Sequence, residues 1–230
     1  MLSVVGVLLL VRHGQASFGA DDYDVLSETG WQQSRELGAW LAELGVRPDV
    51  VVRGGMRRHP ETAEGVLEKV GVGGVVAVED LGWDEFDHLG VVAADPGPVE
   101  DEPGTDPRRA FQRRFEIATA RWTSGAYDAE YPESFGSFAA RVSDALDRAV
   151  AEGGPGRTVL VVSSGGPIAA AVAGLAGPDA DPATRARLWS AFNTPCVNTG
   201  VTKVVVGPTG ARLLTFNEHA HLGRGLLTYR

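Results

Sequence analysis

A histidine between an arginine and a glycine, Arg12-His13-Gly14, follows an apolar run at residues 4–11 of the sequence. A neutral imidazole can attack phosphorus, an arginine fork can hold phosphate oxygens, and a glycine lets the backbone approach an anion. In the tripeptide alone, such a histidine is more often a structural, hydrogen-bonded residue than a catalytic one. Its chemistry therefore depends on the elements that position it.

The run at residues 4–11 is rich in valine and shows no alternation, which favours a strand buried on both faces of a sheet. No basic residue precedes it and no small-residue cleavage site follows it, as a signal peptide would require. It is also too short to span a bilayer. A histidine at its end would lie at the carboxyl edge of the sheet, where open α/β folds bind ligands.

Strands and helices alternate over most of the chain. Further strands are predicted at residues 50–52, 75–78, 158–162, 201–206 and 212–216, and helices ending near residues 44, 70, 176 and 192. This order predicts an α/β fold in one domain of residues 1–230, a three-layer α/β/α sandwich with a mostly parallel sheet.

The alternation stops between Gly82 and Glu133. This stretch begins acidic and proline-rich and continues as a helix with Phe111, Phe115 and Trp122 spaced for one face. We interpret residues 83–133 as a helical insertion over the carboxyl edge of the strands, the usual place for a lid or a substrate wall.

Composition excludes several classes of protein. The net charge of −9 argues against a nucleic-acid binder or a membrane-surface binder. A single cysteine, Cys196, cannot form an intramolecular disulfide, which suits the cytoplasm, and its context is typical of a small buried hydrophobe. The histidines show no metal-ligand spacing, so no metal site is expected.

Six segments occur in the order LLLVRHGQAS, LSETGWQQ, RRHPETA, DEF, PESFGSFAARV and VVSSGGPIA. This ordered set resembles the histidine phosphatase superfamily, the phosphoglycerate-mutase-like group of branch 1 type, over nearly the whole chain. The resemblance implies a phosphoglycerate-mutase-like fold and phosphoryl transfer through a phosphohistidine, with no cofactor. It also implies a small-molecule phosphomonoester as substrate, whereas a homodimer is neither required nor excluded.

The resemblance assigns roles by position. His13 matches the nucleophile, and Arg12 matches the first phosphate-binding arginine, with Gly14 and Gln15 beside it. Arg57, five residues before the threonine of RRHPETA, matches the second phosphate-binding arginine.

Glu85 best matches the acid that protonates the leaving oxygen, with Glu79 and Asp84 as rivals. Such an acid needs a raised pKa, which the flanking Trp83 and Phe86 could provide by excluding water. After the insertion, Glu133-Ser134 and Arg141 match the segment that re-enters the core fold.

The chain departs from the family in three places. Ser164, followed by Gly165 in the predicted phosphate-binding turn, stands where the family has its second histidine. Arg53 stands where a serine usually opens the second arginine motif, and Glu61 replaces a glutamine. Losing one preorganised donor typically costs on the order of 10²–10³ in rate. His88 could swing toward the phosphate and replace the missing imidazole.

The remaining histidines are expected to have no part in catalysis. His59 lies two residues past Arg57 on a helix and is predicted to face solvent. His219 and His221 are predicted to be packing or capping residues.

A phosphomonoesterase is the first functional hypothesis. A cofactor-dependent phosphoglycerate mutase is less supported, because Phe18, Gly19, Asp21 and Asp22 follow the first motif where such mutases carry Trp-Asn. A non-catalytic module that binds a phosphorylated ligand is the third hypothesis, motivated by Ser164.

Overall fold

One sheet organises the computed structural model, which describes residues 5–17, 24–97 and 106–229. Within these ranges the strands are β1 (Gly6–Arg12), β2 (Val50–Arg53), β3 (Ala77–Glu79), β4 (Thr158–Ser163), β5 (Val201–Gly207) and β6 (Gly210–Glu218). The α-helices there are α1 (Glu28–Glu43), α2 (Arg58–Val70), α3 (His88–Ala93), α4 (Pro107–Thr123), α5 (Phe135–Glu152), α6 (Gly165–Ala176) and α7 (Pro182–Asn193). Helices α2 and α6 end at the predicted residues, whereas β3 begins two residues later than predicted.

The strand order is β3-β2-β4-β1-β5-β6. The first four strands of this order are parallel, and β5 and β6 run antiparallel to their neighbours. The hairpin between β5 and β6 has only two residues between the strands, and so short a turn can join only antiparallel strands. The predicted α/β sandwich with a mostly parallel sheet is confirmed.

Side chains of the central strand β1 alternate between two hydrophobic cores, one on each face of the sheet. Leu8 and Leu10 pack in the core that contains residues of α5 and α6, and Leu9 and Val11 pack in the core that contains residues of α1 and α2. Both sides of the strand are therefore covered, which explains its unbroken apolar sequence. None of the helices in the described ranges is long and apolar enough to cross a bilayer.

The parallel register brings three loops together at the carboxyl edge of the sheet. Arg12 of β1 lies opposite Ser163 of β4, and Arg53 of β2 lies opposite Val162. The next residues along the chain are His13, Ser164 and Gly54, so these three leave the sheet side by side.

The segment between β3 and α5 packs on this edge through aromatic rings. Phe86 stacks on Trp122 of α4 at a centroid distance of 4.7 Å, and Trp122 is 1% exposed. Of the predicted aromatic face, Phe111 is 47% exposed and does not join this cluster. Residues 98–105 of the predicted insertion lie outside the described ranges.

Arg141 of α5 holds the start of this segment in place. Its Nη1 donates hydrogen bonds to the carbonyl oxygens of Gly82 and Asp84 at 3.1 and 3.0 Å, and its guanidinium forms a two-bond ion pair with Glu133. Ser134 accepts a hydrogen bond from the backbone N–H of Ser137 and caps α5. The residues predicted to lead back into the core fold thus also fix the loop that carries Glu85.

Candidate active site

His13 lies at the carboxyl end of β1 and is 7% exposed. Its Nδ1 is 2.7 Å from the carbonyl oxygen of Gly14. Because a carbonyl oxygen can only accept, Nδ1 carries the ring proton and Nε2 keeps its lone pair. Burial, followed by the charges of Arg58 and Arg12, lowers the pKa of His13 well below its ordinary value of 6.5. The ring is therefore a neutral imidazole with a nucleophilic nitrogen.

The loop after His13 is held by α1 and α2. The Gly14 N–H donates to the Thr62 hydroxyl at 3.0 Å, and a Cβ on Gly14 would lie 2.5 Å from the Gly30 carbonyl oxygen. The side chain of Gln15 accepts a hydrogen bond from Ser27, the N-cap of α1, at 2.9 Å. Gly14 and Gln15 thus lie beside His13, and their contact with a phosphate stays a prediction.

Arg12 contacts segments that are distant in the sequence. Its Nη1 donates to the carbonyl oxygens of Cys196 and Tyr229, the latter at 2.8 Å. Asn198 donates from Nδ2 to the His13 carbonyl oxygen at 3.0 Å, and its own N–H donates to the Thr228 carbonyl oxygen at 3.0 Å. Sequence reasoning missed these contacts, since no local pattern signals them.

The arginine beside His13 is Arg58, not the predicted Arg57. The Arg58 side chain is 7% exposed, with Nη1 2.5 Å from Asp24 Oδ1 and Nη2 3.3 Å from Ser164 Oγ. The Arg57 side chain is 60% exposed and pairs with Glu61 at 3.0 Å. Successive helical residues point about 100° apart, so a side chain one residue earlier can face solvent when its neighbour is buried. The structure does not bring Arg57 to the cluster, and Arg58 takes the place that we predicted for it.

His59 does not face solvent, and that prediction is wrong. Its side chain is fully buried, and its Nε2 lies 2.9 Å from Ser164 Oγ. A signal for this was present, because residues 59, 62, 63 and 66 form an i, i+3, i+4, i+7 stripe on α2. Thr62, Ala63 and Val66 on that stripe are all 1% exposed or less.

Ser164 is the N-cap residue of α6 and is fully buried. Its hydroxyl lies between Arg58 and His59. The position of Cβ on Gly165 would be 3.8 Å from Arg12 Nε, so the first turn of α6 borders that guanidinium. A helix N-terminus with an arginine beside it favours an anion.

Glu85 reaches the same helix end. Its carboxylate accepts hydrogen bonds from the N–H groups of Gly166 and Phe86 at 3.1 and 3.2 Å. A Cβ on residue 166 would stand 2.0 Å from Glu85 Oε1, so this approach requires glycine there. Burial raises the pKa of Glu85 above 4.5, although the Gly166 N–H and the charge of Arg58 oppose the shift.

The rival carboxylates have other partners. Glu79 is 49% exposed in an ion pair with Arg53, and Asp84 Oδ1 accepts from the Gly55 N–H at 2.6 Å. His88 begins α3, and burial followed by the charge of Arg58 lowers its pKa. Among the described residues, no hydrogen bond or ring contact joins His88 to His13 or Ser164, so its swing toward the phosphate stays a prediction.

Cys196 and the last two histidines lie outside this chemistry. Burial raises the pKa of Cys196 to about 11, and its side chain is 2% exposed, as predicted for a small buried hydrophobe. His221 contacts the Thr199 hydroxyl at 3.0 Å, and His219 contacts the Asn217 carbonyl oxygen at 2.7 Å. The described residues contain no group of three or more His, Cys, Asp or Glu side chains that could hold a metal ion.

The sequence profile of the histidine phosphatase superfamily (branch 1) matches residues 8–219. The chain belongs to the histidine phosphatase superfamily. Among curated proteins, this superfamily member is 29% identical over 119 residues to the 2,3-bisphosphoglycerate-dependent phosphoglycerate mutase of Rhizobium etli. That alignment covers 49% of this chain and 56% of the mutase, so the chain spans about half the length of the curated relatives it matches.

Several solved structures share the fold of this chain over most of their length. A mycobacterial glucosyl-3-phosphoglycerate phosphatase superposes with a TM-score of 0.62 at 23% identity, covering 93% of this chain and 99% of that one. A phosphoglycerate mutase of Bacillus anthracis superposes with a TM-score of 0.61 at 19% identity, covering 95% and 96%. Because the identities are this low, the superpositions establish the fold alone. They confirm the predicted phosphoglycerate-mutase-like architecture.

Proposed function

We propose that this histidine phosphatase superfamily member is a phosphomonoesterase that hydrolyses a small phosphorylated metabolite through a phosphohistidine on His13. One observation carries the proposal. A neutral imidazole with its Nε2 lone pair available lies among two arginines, while a carboxyl group with a raised pKa approaches the same helix end. These are a nucleophile, an anion site and an acid at one edge of the sheet.

The first step forms the phosphohistidine. His13 Nε2 donates its lone pair to phosphorus, and the bond from phosphorus to the ester oxygen breaks. Negative charge on the non-bridging oxygens is stabilised by Arg12, Arg58 and the N–H groups that begin α6. The departing alkoxide takes the proton of the Glu85 carboxyl group and leaves as an alcohol.

The second step returns the enzyme to its starting state. Glu85, now ionised, takes a proton from water as that water attacks phosphorus, and the bond from His13 to phosphorus breaks. The products are inorganic phosphate, a neutral His13 and a protonated Glu85. The raised pKa of Glu85 suits this role, since the group must hold a proton in the first step and regain it in the second.

A phosphoglycerate mutase is the second candidate, favoured by the names of the curated relatives. A mutase would pass the phosphoryl group from His13 to a second substrate hydroxyl rather than to water. The residues after the first motif that argued against this reaction, 18–22, lie outside the described ranges.

Assays on the purified protein separate these functions. We expect hydrolysis of p-nitrophenyl phosphate, and a phosphoenzyme that survives a quench into base but not into acid, as a phosphohistidine does. Interconversion of phosphoglycerates that requires bisphosphoglycerate would favour the mutase. A phosphate-induced rise in melting temperature without any turnover would favour the non-catalytic binding module.

Substitution of Glu85 by glutamine is expected to lower kcat/KM, which reports the phosphorylation step, by about 10²- to 10⁴-fold for an alkyl phosphate, the usual contribution of a general acid. The loss should be larger for an alkyl phosphate than for p-nitrophenyl phosphate, because nitrophenolate leaves without being protonated. Steady-state assays on both esters measure this difference. Equal losses on the two esters would contradict the assignment of Glu85 as the acid.

The same variant has an expected effect on stability. An acid with a raised folded-state pKa binds its proton more tightly in the folded than in the unfolded state, so the free energy of unfolding falls as pH rises from 4.5 through the folded-state pKa. The Glu85→Gln variant has no carboxyl group at this position, so its free energy of unfolding does not fall with pH for this reason. Its melting temperature relative to wild type is therefore expected to increase with pH across that interval, and a constant difference would argue against a raised pKa.

A further inference from the structure

A second imidazole lies beside the proposed nucleophile. The ring of His59 is fully buried, and its centroid is 5.9 Å from that of His13. Its Nε2 is 2.9 Å from Ser164 Oγ, and Ser164 is itself fully buried. The two-step mechanism proposed above assigns His59 no role.

The space for this ring exists because residue 54 is glycine. A Cβ on Gly54 would lie 2.3 Å from His59 Nδ1 and 2.6 Å from Asp84 Oδ1, far inside van der Waals contact. The Gly54 N–H donates to the Val162 carbonyl oxygen at 3.1 Å, which holds its backbone at the sheet edge. Gly54 and His59 are thus complementary in shape.

The direction of the hydrogen bonds follows from the neighbouring charges. Burial, followed by the charge of Arg58, lowers the pKa of His59 to about 3, so the neutral ring carries one proton. The Asp84 carboxylate is 3.7 Å from Nδ1, too far for a hydrogen bond, but its negative charge favours the proton on that nitrogen. Nε2 then accepts from the Ser164 hydroxyl.

The orientation of the Ser164 hydroxyl decides which of its atoms faces the Arg58 guanidinium. Once its proton points at His59, Ser164 Oγ presents lone pairs to Arg58 Nη2 at 3.3 Å. A guanidinium can only donate and the Ser164 oxygen can accept, so both contacts of Ser164 are satisfied in this arrangement. Asp24 binds the other terminal nitrogen of Arg58 at 2.5 Å. The guanidinium is thereby held from both sides.

We propose that His59 is a positioning residue, which acts through the Ser164 hydroxyl to orient the guanidinium of Arg58 toward the phosphoryl group at His13. This inference rests on the proposed function. It gives Ser164 the role of a hydrogen-bond acceptor for Arg58. His59 needs no contact with the substrate, and its effect is measured in how tightly Arg58 binds the anion.

Four variants test the chain of contacts. His59→Leu and Ser164→Ala are each expected to lower kcat/KM for p-nitrophenyl phosphate by about 10- to 100-fold, as loss of a partner that orients a functional ligand typically does. Inhibition by vanadate should weaken in parallel. His59→Gln should recover most of the activity, because its amide oxygen can accept at the position of Nε2. Gly54→Ala keeps every hydrogen-bonding side chain but displaces the ring, and should resemble His59→Leu.

The double variant gives the decisive result. If His59 acts through Ser164, His59→Leu adds no further loss to Ser164→Ala. Losses that multiply in the double variant would overturn the proposal, as would a His59→Gln variant that folds with a wild-type melting temperature and is as impaired as His59→Leu.

A failure of the proposed function is distinguishable from a failure of this inference. If the wild type binds vanadate but hydrolyses no phosphomonoester, the phosphatase proposal fails. The same variants then test the inference through the melting shift that vanadate induces. If the wild type binds no vanadate, both proposals fail.

Discussion

Alanine at position 13 is expected to abolish phosphomonoester turnover and to leave the fold intact. The His13 ring is held by one hydrogen bond to the adjacent carbonyl and belongs to neither hydrophobic core. Its Nε2 is the atom that forms the covalent bond in the proposed reaction, so a loss on the order of 10⁴ or more is expected, as for other covalent nucleophiles. Rates on p-nitrophenyl phosphate and melting temperatures measure the two effects.

Two controls sharpen this experiment. His219→Ala removes an imidazole that contacts the Asn217 carbonyl oxygen of β6, two residues earlier, and should retain wild-type activity. His13→Gly with added imidazole should recover part of the turnover, because a free imidazole can occupy the vacated site and attack phosphorus. A His13→Ala variant within tenfold of wild type would exclude the phosphohistidine mechanism.

The elements that position the site were predictable because each has a local cause. The unbroken apolar run before His13 predicts a strand covered on both faces, and Leu8 to Val11 do pack in two cores. The glycine-rich segment Gly165-Gly166 predicts the start of α6, and an apolar stripe predicts α2. Parallel strands then bring their carboxyl ends to one edge, which places His13 beside Ser164 without any knowledge of side-chain contacts.

The two wrong predictions, for Arg57 and His59, both lie at the start of α2. Spacing along the sequence alone does not show which face of the helix a side chain occupies. Counting five residues back from Thr62 selects Arg57, whereas the buried arginine lies four residues back, one helical turn from Thr62. The prediction that His59 is solvated depends on its position relative to Arg57. Its position on the stripe with Thr62, Ala63 and Val66 shows instead that it faces the sheet.

Other features had no local signal at all. The contacts of Arg12 with Tyr229 and of Asn198 with Thr228 join segments that are far apart or irregular. The pairing of β5 with β1 joins strands from opposite ends of the chain, and it is decided by packing of the whole chain. Such long-range choices are made by the sum of many weak contacts, so no single stretch of sequence reports them.

The second large effect is expected from Arg58, with its neighbour Arg57 as a matched control. Arg58→Ala removes a buried cation next to Ser164 and His13, and the charge that develops on the phosphoryl oxygens then has one fixed donor group fewer. A loss of about 10³-fold in kcat/KM is expected, at the upper end for a single preorganised donor. Arg58→Lys should recover little, because an ammonium cannot reproduce the planar fork of the guanidinium.

Arg57→Ala makes the same chemical change one residue earlier, on a side chain that is 60% exposed. Its kcat/KM is expected to stay within about twofold of wild type, as for a surface substitution worth about 0.5 kcal/mol or less. Vanadate affinity should follow the same ranking, and melting temperatures check that Arg58→Ala still folds after Asp24 loses its ion pair with Arg58. The reverse ranking, with Arg57→Ala the more damaged variant, would restore Arg57 as the phosphate-binding arginine. It would also contradict the role proposed for His59 and Ser164, since that role is to orient the Arg58 guanidinium.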